Sequence, residues 1–203
     1  MASRLDRWVV REVLDWMGHT TLDPLDLVSV NLSGQSLGDK AFHRDVTDLI
    51  SQTPFDPRKL CFEVTETAAI THLGDAAGFT AAMRELGVRI ALDDFGAGAS
   101  SFGYLKTLTV DFLKIGGQFV RDLLNDRLDH ATECCFRDVA AVCEITTIAE
   151  FVESDEVLAE LARIGIILAQ GYLIHRPEPL ERLLKNRQQL RCKGLLTLNL
   201  AIP

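Results

Sequence analysis

Short apolar runs that each end in a polar residue recur along the chain, with helical patterns between them. The runs predict strands at 27–33, 60–66, 88–94, 110–115, 145–150 and 166–171. Apolar residues at helical spacing predict helices at 5–17, 76–86, 119–124, 132–143 and 156–164. Because the strands are nearly continuous in apolar residues, they are typical of a parallel sheet that is covered on both faces. The pattern therefore predicts an α/β fold.

The order of strands and helices fits either a doubly wound sheet or a barrel. In a barrel the carboxyl ends of all strands converge on one mouth, whereas a doubly wound sheet binds its ligand at one switch point. The sequence contains no GxGxxG or GxxxxGK loop, so the barrel is favoured. The strands end in Asn31, Glu63, the pair Asp93 and Asp94, Lys114, Glu150 and Gln170.

Charge and cysteine content narrow the functional class. A net charge of -8 argues against DNA as a partner. No stretch has the roughly 20 apolar residues of a membrane span. The five cysteines are odd in number and form no zinc pattern, which indicates free thiols and a cytoplasmic location. Cys135 and Cys143 lie in an apolar helical stretch and are predicted to be buried, with a reactive thiol as the alternative.

The strand-end residues offer a set of hard oxygen ligands. Asp93 and Asp94 stand where a strand opens into a glycine-rich loop, and Glu63 lies within an apolar strand. Adjacent carboxylates are costly unless a cation neutralises them. Oxygen ligands of this kind suit Mg²⁺ or Mn²⁺, and two such ions can hold a phosphodiester. The alternative for each residue alone is a solvated turn or a satisfied buried polar group.

Six motifs carry a resemblance to a known family. They are VNLS (30–33), FEVTET (62–67), LDDFGAGASSFGYLK (92–106), VDFLKI (110–115), IAEFVE (148–153) and QGYLIHRP (170–177). In this order they resemble the EAL domain family of bacterial cyclic-di-GMP phosphodiesterases. The resemblance implies an EAL domain over residues 1–185 with a TIM-type (β/α) barrel. It also implies metal-dependent hydrolysis of cyclic-di-GMP to pGpG.

The resemblance also implies roles for single residues. By motif, Asn31, Glu63 and Asp93 resemble metal ligands, and Asp94 resembles the ligand of a second metal. Lys114 would orient the attacking water or stabilise charge on the phosphate. Glu150 matches a metal-proximal acidic residue of the family, and Gln170 matches a further polar residue of its active site. Glu66 and Glu153 resemble residues that fix the loop after the paired aspartates and the geometry of the site. A homodimer is a further family expectation.

Departures from the family pattern predict weak or absent activity. The family's first hairpin, including its Glu-x-Leu-x-Arg strand, does not precede the helix at 5–17, which implies an incomplete barrel without one metal-ligating glutamate and one phosphate-contacting arginine. Gly116 stands where the family has a metal-proximal aspartate, Phe151 where it has glycine, and Ala97 and Ala99 where it has threonine and an aromatic residue. The alternative is a non-catalytic module that senses cyclic-di-GMP or contacts a protein partner.

The end of the chain reads differently from the rest. Residues 186–193 are basic and polar, and residues 194–203 read as a strand. We predict that 186–203 forms an extension whose strand could pair beside 168–174, with an unpaired tail as the alternative.

Overall fold

The computed structural model describes residues 1–22, 25–98 and 102–179. The predicted extension at 186–203 and Ala99 lie outside these residues. No helix within the described ranges is both long enough and apolar enough to span a membrane.

Within the described residues, six parallel strands form one sheet in chain order. They are β1 (Val28–Leu32), β2 (Leu60–Thr65), β3 (Arg89–Phe95), β4 (Phe112–Ile115), β5 (Thr146–Ala149) and β6 (Leu168–Ala169). Each strand from β2 to β6 pairs with the one before it. This order is that of a (β/α) barrel, and between β1 and β6 no pairing occurs within the described residues. The predicted α/β fold with the strand order of a TIM-type barrel is confirmed.

Eight α-helices lie within the described residues. They are α1 (Ala2–His19), α2 (Gly34–Leu37), α3 (Lys40–Gln52), α4 (Glu66–Thr71), α5 (Leu73–Glu85), α6 (Gly117–Val120), α7 (Arg127–Val142) and α8 (Asp155–Arg163). Ser154 caps the start of α8, because its hydroxyl accepts a hydrogen bond from the Val157 amide. The helix predicted at 119–124 is wrong in its extent: α6 ends at Val120 and a turn follows.

The two faces of the sheet carry two separate apolar layers. The outer face packs against the helices in one large cluster that includes Val30, Phe62, Leu92 and Leu113. The inner face carries a small cluster with one residue from each strand or its start, namely Leu27, Cys61, Ala91, Phe112 and Ile148, with Leu168 packed against them. Side chains alternate between the faces of a strand, so the residue two positions further on also points inward. The inner apolar layer thus lies directly below the side chains at the carboxyl ends of the strands.

Candidate functional site

Four predicted site residues lie one step above the inner apolar layer. Glu63, Asp93, Lys114 and Glu150 each come two residues after a member of that layer, on four adjacent strands or their ends. The spacing of two places their side chains on the same inward face. The structure therefore brings together residues that are far apart along the chain.

Lys114 is the centre of this group. Its ammonium nitrogen lies 2.7 Å from Glu63 Oε2, 2.9 Å from Asp93 Oδ1 and 2.8 Å from Glu150 Oε1. The contact with Asp93 is an ion pair. Lys114 and Glu63 are each 1 % exposed. A buried lysine with three carboxylates is stable only because the opposite charges are close together.

Burial and charge act against each other at this cluster. Burial lowers the pKa of Lys114, but Glu63, Glu150 and Asp93 raise it by more, so the amine is held protonated. Burial raises the pKa of Glu150 to about 7, although the Lys114 ammonium pulls it down. A carboxyl that titrates near neutrality inside a cleft is a property of acid–base sites.

A bulge in β3 explains how two neighbouring aspartates reach the same mouth. Leu92 pairs with Leu113 and Phe95 with Ile115, so β3 has one residue more than β4 at this point. Asp94 has a φ of 53°, in the left-handed region. Its side chain is exposed, and burial together with Asp93 raises its pKa. The extra residue thus breaks the alternation that would send the two carboxylates to opposite faces.

Glu66 holds the loop that follows the aspartates. Its Oε2 accepts hydrogen bonds from the amides of Gly96, at 3.1 Å, and Gly98, at 3.3 Å. The Tyr104 hydroxyl donates to Oε1. Burial and Glu66 raise the pKa of this tyrosine. Three donors on one buried carboxylate fix the near end of the loop at 95–98.

The other predicted residues surround the cluster. Asn31 is exposed and is the register partner of Glu63 on the neighbouring strand. Gln170 is half-buried, and its Oε1 is buried without a hydrogen-bond partner among the described residues. Glu153 is exposed. The mouth therefore combines carboxylates, amides and one ammonium.

The types of residue at the strand ends suit a hard divalent cation better than the positions of their side chains do. Oxygen donors from adjacent strand ends are the kind that Mg²⁺ and Mn²⁺ prefer. Among the described residues, however, no group of three or more His, Cys, Asp or Glu side chains is arranged to hold a metal ion. The reason is that Glu63, Asp93 and Glu150 contact the Lys114 ammonium instead.

Two glycines follow β4 and face different neighbours. A methyl group on Gly116 would lie 3.9 Å from Asp94 Oδ1, so a side chain there would stand directly beside this carboxylate. A methyl group on Gly117 would lie 2.3 Å from Cδ2 of Phe151. Phe151 has a φ of 54°, and its ring packs on Gly117 with the Arg121 guanidinium 4.6 Å from the ring centre. Gly117 thus makes room for the aromatic residue next to Glu150.

Exchanging Gly117 for alanine is expected to destabilise the chain by about 1–3 kcal/mol, because the methyl group overlaps the Phe151 ring. The double variant Gly117→Ala/Phe151→Gly should recover most of this loss, since it removes the ring and relaxes the left-handed backbone at 151. Thermal unfolding of both variants measures the effect. Gly78→Ala, with no atom within 4 Å of the new methyl, is the matched control and should not destabilise. Equal losses in the single and double variants would contradict this pairing.

Two contributors to the site lie outside the residues predicted from sequence. Tyr104 was not among the expected site residues, because nothing in the sequence links it to Glu66. Gly171 is the other: a methyl group there would lie 2.2 Å from the Val152 carbonyl oxygen. The Leu173 amide donates to that same oxygen. The loop after β6 therefore packs against the segment that follows Glu150.

Comparisons with known proteins agree with this geometry. The profile of the EAL domain family matches residues 1–177. The chain is 40% identical over 187 residues to the cyclic di-GMP phosphodiesterase PdeB of Shewanella oneidensis, and the match covers 89% of this chain and 21% of that protein. It is 33% identical over 192 residues to the cyclic di-GMP phosphodiesterase PdeF of Escherichia coli, covering 94% of this chain and 26% of that protein.

A solved structure extends the likeness to the fold. The PaMucR phosphodiesterase in its c-di-GMP complex superimposes with a TM-score of 0.82 at 30% identity, over 89% of this chain and 79% of that one. The chain spans about a quarter of the length of the two relatives named above. The family match covers most of the chain, and the barrel with its strand-end residues agrees with it. This chain therefore belongs to the EAL domain family.

Proposed function

We propose that this chain acts on cyclic-di-GMP through a metal-dependent site at the mouth of the barrel, and that its hydrolytic activity is impaired. The observation that carries the proposal is the position of Gly116. It stands beside Asp94 with space for a side chain, and it offers no carboxylate there. Two-metal hydrolysis needs ligands for both ions, so a missing oxygen ligand weakens the reaction directly.

The proposed assignment uses the residues that meet at the strand ends. Asn31, Glu63 and Asp93 would hold one Mg²⁺ or Mn²⁺, and Asp94 would contribute to a second. Bound ions of this kind polarise a phosphodiester and lower the pKa of a bound water. Lys114, Glu150 and Gln170 would bind and orient the groups around the phosphate, and Glu66 would keep the loop at 95–98 in place. Support comes from the convergence of Glu63, Asp93 and Glu150 within 3 Å of Lys114 Nζ.

Restoring a carboxylate at 116 tests the proposal. We expect Gly116→Asp to raise the rate of cyclic-di-GMP hydrolysis with Mn²⁺ or Mg²⁺ by about tenfold or more, the scale on which residues around a metal affect activity. Gly116→Asn is the matched control, because it has the same size and no charge, and it should give little gain. The readout is formation of pGpG. Unmodified chain that turns over as fast as an intact EAL phosphodiesterase would rule out the impairment.

A second candidate is a non-catalytic module that binds cyclic-di-GMP or a protein partner. Phe151 favours it, because its half-exposed ring lies directly after Glu150 at the mouth. Calorimetric titration with cyclic-di-GMP separates the two: binding with no hydrolysis, even in Gly116→Asp, supports the sensor. A homodimer and a cytoplasmic location stay predictions from the sequence.

A further inference from the structure

A cysteine, a histidine and a glutamate are aligned on the outer helices, away from the strand-end site. His130 and Cys134 stand one turn apart on α7, with Cys134 Sγ 3.9 Å from His130 Nδ1. The other ring nitrogen, Nε2, lies 2.6 Å from Glu160 Oε1 on α8. A nucleophile, a base within reach of it and a third group that orients the base form the arrangement of an activated nucleophile.

The carboxylate decides which histidine nitrogen faces the thiol. Hydrogen bonds from Arg163 and His130 lower the pKa of Glu160 to about 2, so Glu160 is an acceptor at neutral pH. His130 therefore donates to it from Nε2, and the lone pair on Nδ1 is directed at Cys134. The thiol can donate its proton to this nitrogen. The histidine is thus held in the tautomer that acts as a base toward sulfur.

Arg163 adds positive charge at the same place. Its guanidinium binds Glu160 through Nε at 2.7 Å and Nη2 at 2.6 Å, and Nη2 lies 3.4 Å from His130 Nε2. Arg163 and Cys134 also interact electrostatically. The guanidinium thus holds in place the carboxylate that contacts His130. None of these residues contributes to the Lys114 cluster.

The neighbouring cysteine provides a comparison within the same helix. Cys134 is half-buried, whereas Cys135 is exposed. Among the described contacts, no base is aligned on Cys135. Exposure alone would make Cys135 the faster thiol, while the histidine and glutamate would make Cys134 the faster one. The two explanations therefore predict opposite orders of reactivity.

We propose that Cys134 is a thiol modification site that reacts with low-molecular-weight disulfides, with His130 as its base and Glu160 as the residue that positions His130. The Cys134 proton passes to Nδ1 while sulfur attacks one sulfur of the disulfide. The S–S bond of the reagent breaks, a new S–S bond to Cys134 forms, and the departing thiolate takes the proton from the imidazolium. One thiol and one disulfide thus give one mixed disulfide and one free thiol.

Two variants with one accessible thiol each test the proposal. Both retain Cys61, because burial raises the pKa of this thiol well above its ordinary value and shields it from reagents. One also keeps Cys134, the other keeps Cys135, and the remaining cysteines become serine. We expect the Cys134 variant to react with 5,5′-dithiobis(2-nitrobenzoic acid) at pH 7 about tenfold faster. This is less than the roughly 100-fold or more that a positioned base typically supplies, because thiols are already partly ionised.

Removing the base gives the decisive control. His130→Gln and Glu160→Gln should each slow the Cys134 variant by about tenfold and leave the Cys135 variant unchanged, with circular dichroism showing that the fold is kept. Should these variants fail to fold, oxidised glutathione on the unmodified chain gives the same test, because fragment-ion mass spectra locate the adduct at 134 or 135. An adduct mainly at Cys135, or a faster Cys135 variant, overturns the proposal.

Discussion

Replacing Lys114 by methionine is expected to destabilise the chain by about 3–5 kcal/mol, the cost of removing one partner from a buried ion pair. Three carboxylates lie within 3 Å of this ammonium, and Glu63 and Glu150 are only 1 % and 7 % exposed. Without the lysine these groups repel one another in a site that water reaches poorly. Part of the loss will be relieved when Glu150, whose pKa is already about 7, takes up a proton.

Urea unfolding of three variants measures this effect. Lys114→Met should show the full loss, and Lys114→Met/Glu63→Gln should recover part of it, because one buried charge is removed with the lysine. Lys106→Met is the matched control on an exposed lysine and should change the free energy of unfolding by less than about 0.5 kcal/mol. Adding Mn²⁺ should stabilise Lys114→Met more than the unmodified chain, since a cation can take the place of the ammonium. A loss below about 1 kcal/mol would mean that the cluster is well solvated.

Glu133 is expected to make the chain less stable as the pH rises. It is fully buried on α7, and neither carboxylate oxygen has a hydrogen-bond partner among the described residues. Burial raises its pKa to about 8, with a smaller contribution from Asp129. Below pH 4.5 the group is neutral in both the folded and the unfolded chain. Between about pH 4.5 and 8 only the unfolded chain releases the proton, so stability falls by up to about 1.4 kcal/mol for each pH unit.

The exchange Glu133→Leu should therefore raise the melting temperature at pH 8 and have a much smaller effect at pH 5. The gain at pH 8 is on the order of a few kcal/mol, because an unpaired buried carboxyl is replaced by apolar contacts. Glu133→Gln should remove the pH dependence while keeping the shape. Glu85→Gln, an exposed glutamate on α5, is the control and should leave the pH profile of the melting temperature unchanged. A profile that stays the same in Glu133→Leu would show that Glu133 is ionised in the folded chain.

The strands and their polar ends could be predicted because the signal is local. Each strand is a short apolar run, and the inward residue two positions before the site is apolar on every strand from β2 to β6. The meeting of Glu63, Asp93 and Glu150 on Lys114 follows from that alternation once the barrel is assumed. The distances between these side chains do not follow from the alternation, because they depend on the bulge in β3. No sequence pattern marks a bulge at Asp93–Asp94.

The helices were harder to predict than the strands, as several residues show. Helix α3 was not predicted, although Asp39 begins it and Phe42, Val46 and Ile50 form its buried face. Cys135 and Cys143 were predicted to be buried and are exposed, because Phe136 and Ala140 turn the apolar face of α7 away from them. Glu133 shows the opposite limit of sequence patterns: a charged residue in a helix usually faces solvent, and only tertiary packing shows that this one is buried.

The sequential strand order has a consequence for how the chain folds during synthesis. Each strand from β2 to β6 pairs with the strand made just before it, so each helix that connects two strands can dock as soon as the second strand emerges. Among β2 to β6 no strand has to wait for a distant partner, which keeps the sequence separation of these contacts modest for a parallel sheet. A ribosome-bound chain can therefore add one strand–helix unit at a time, from β1 toward β6.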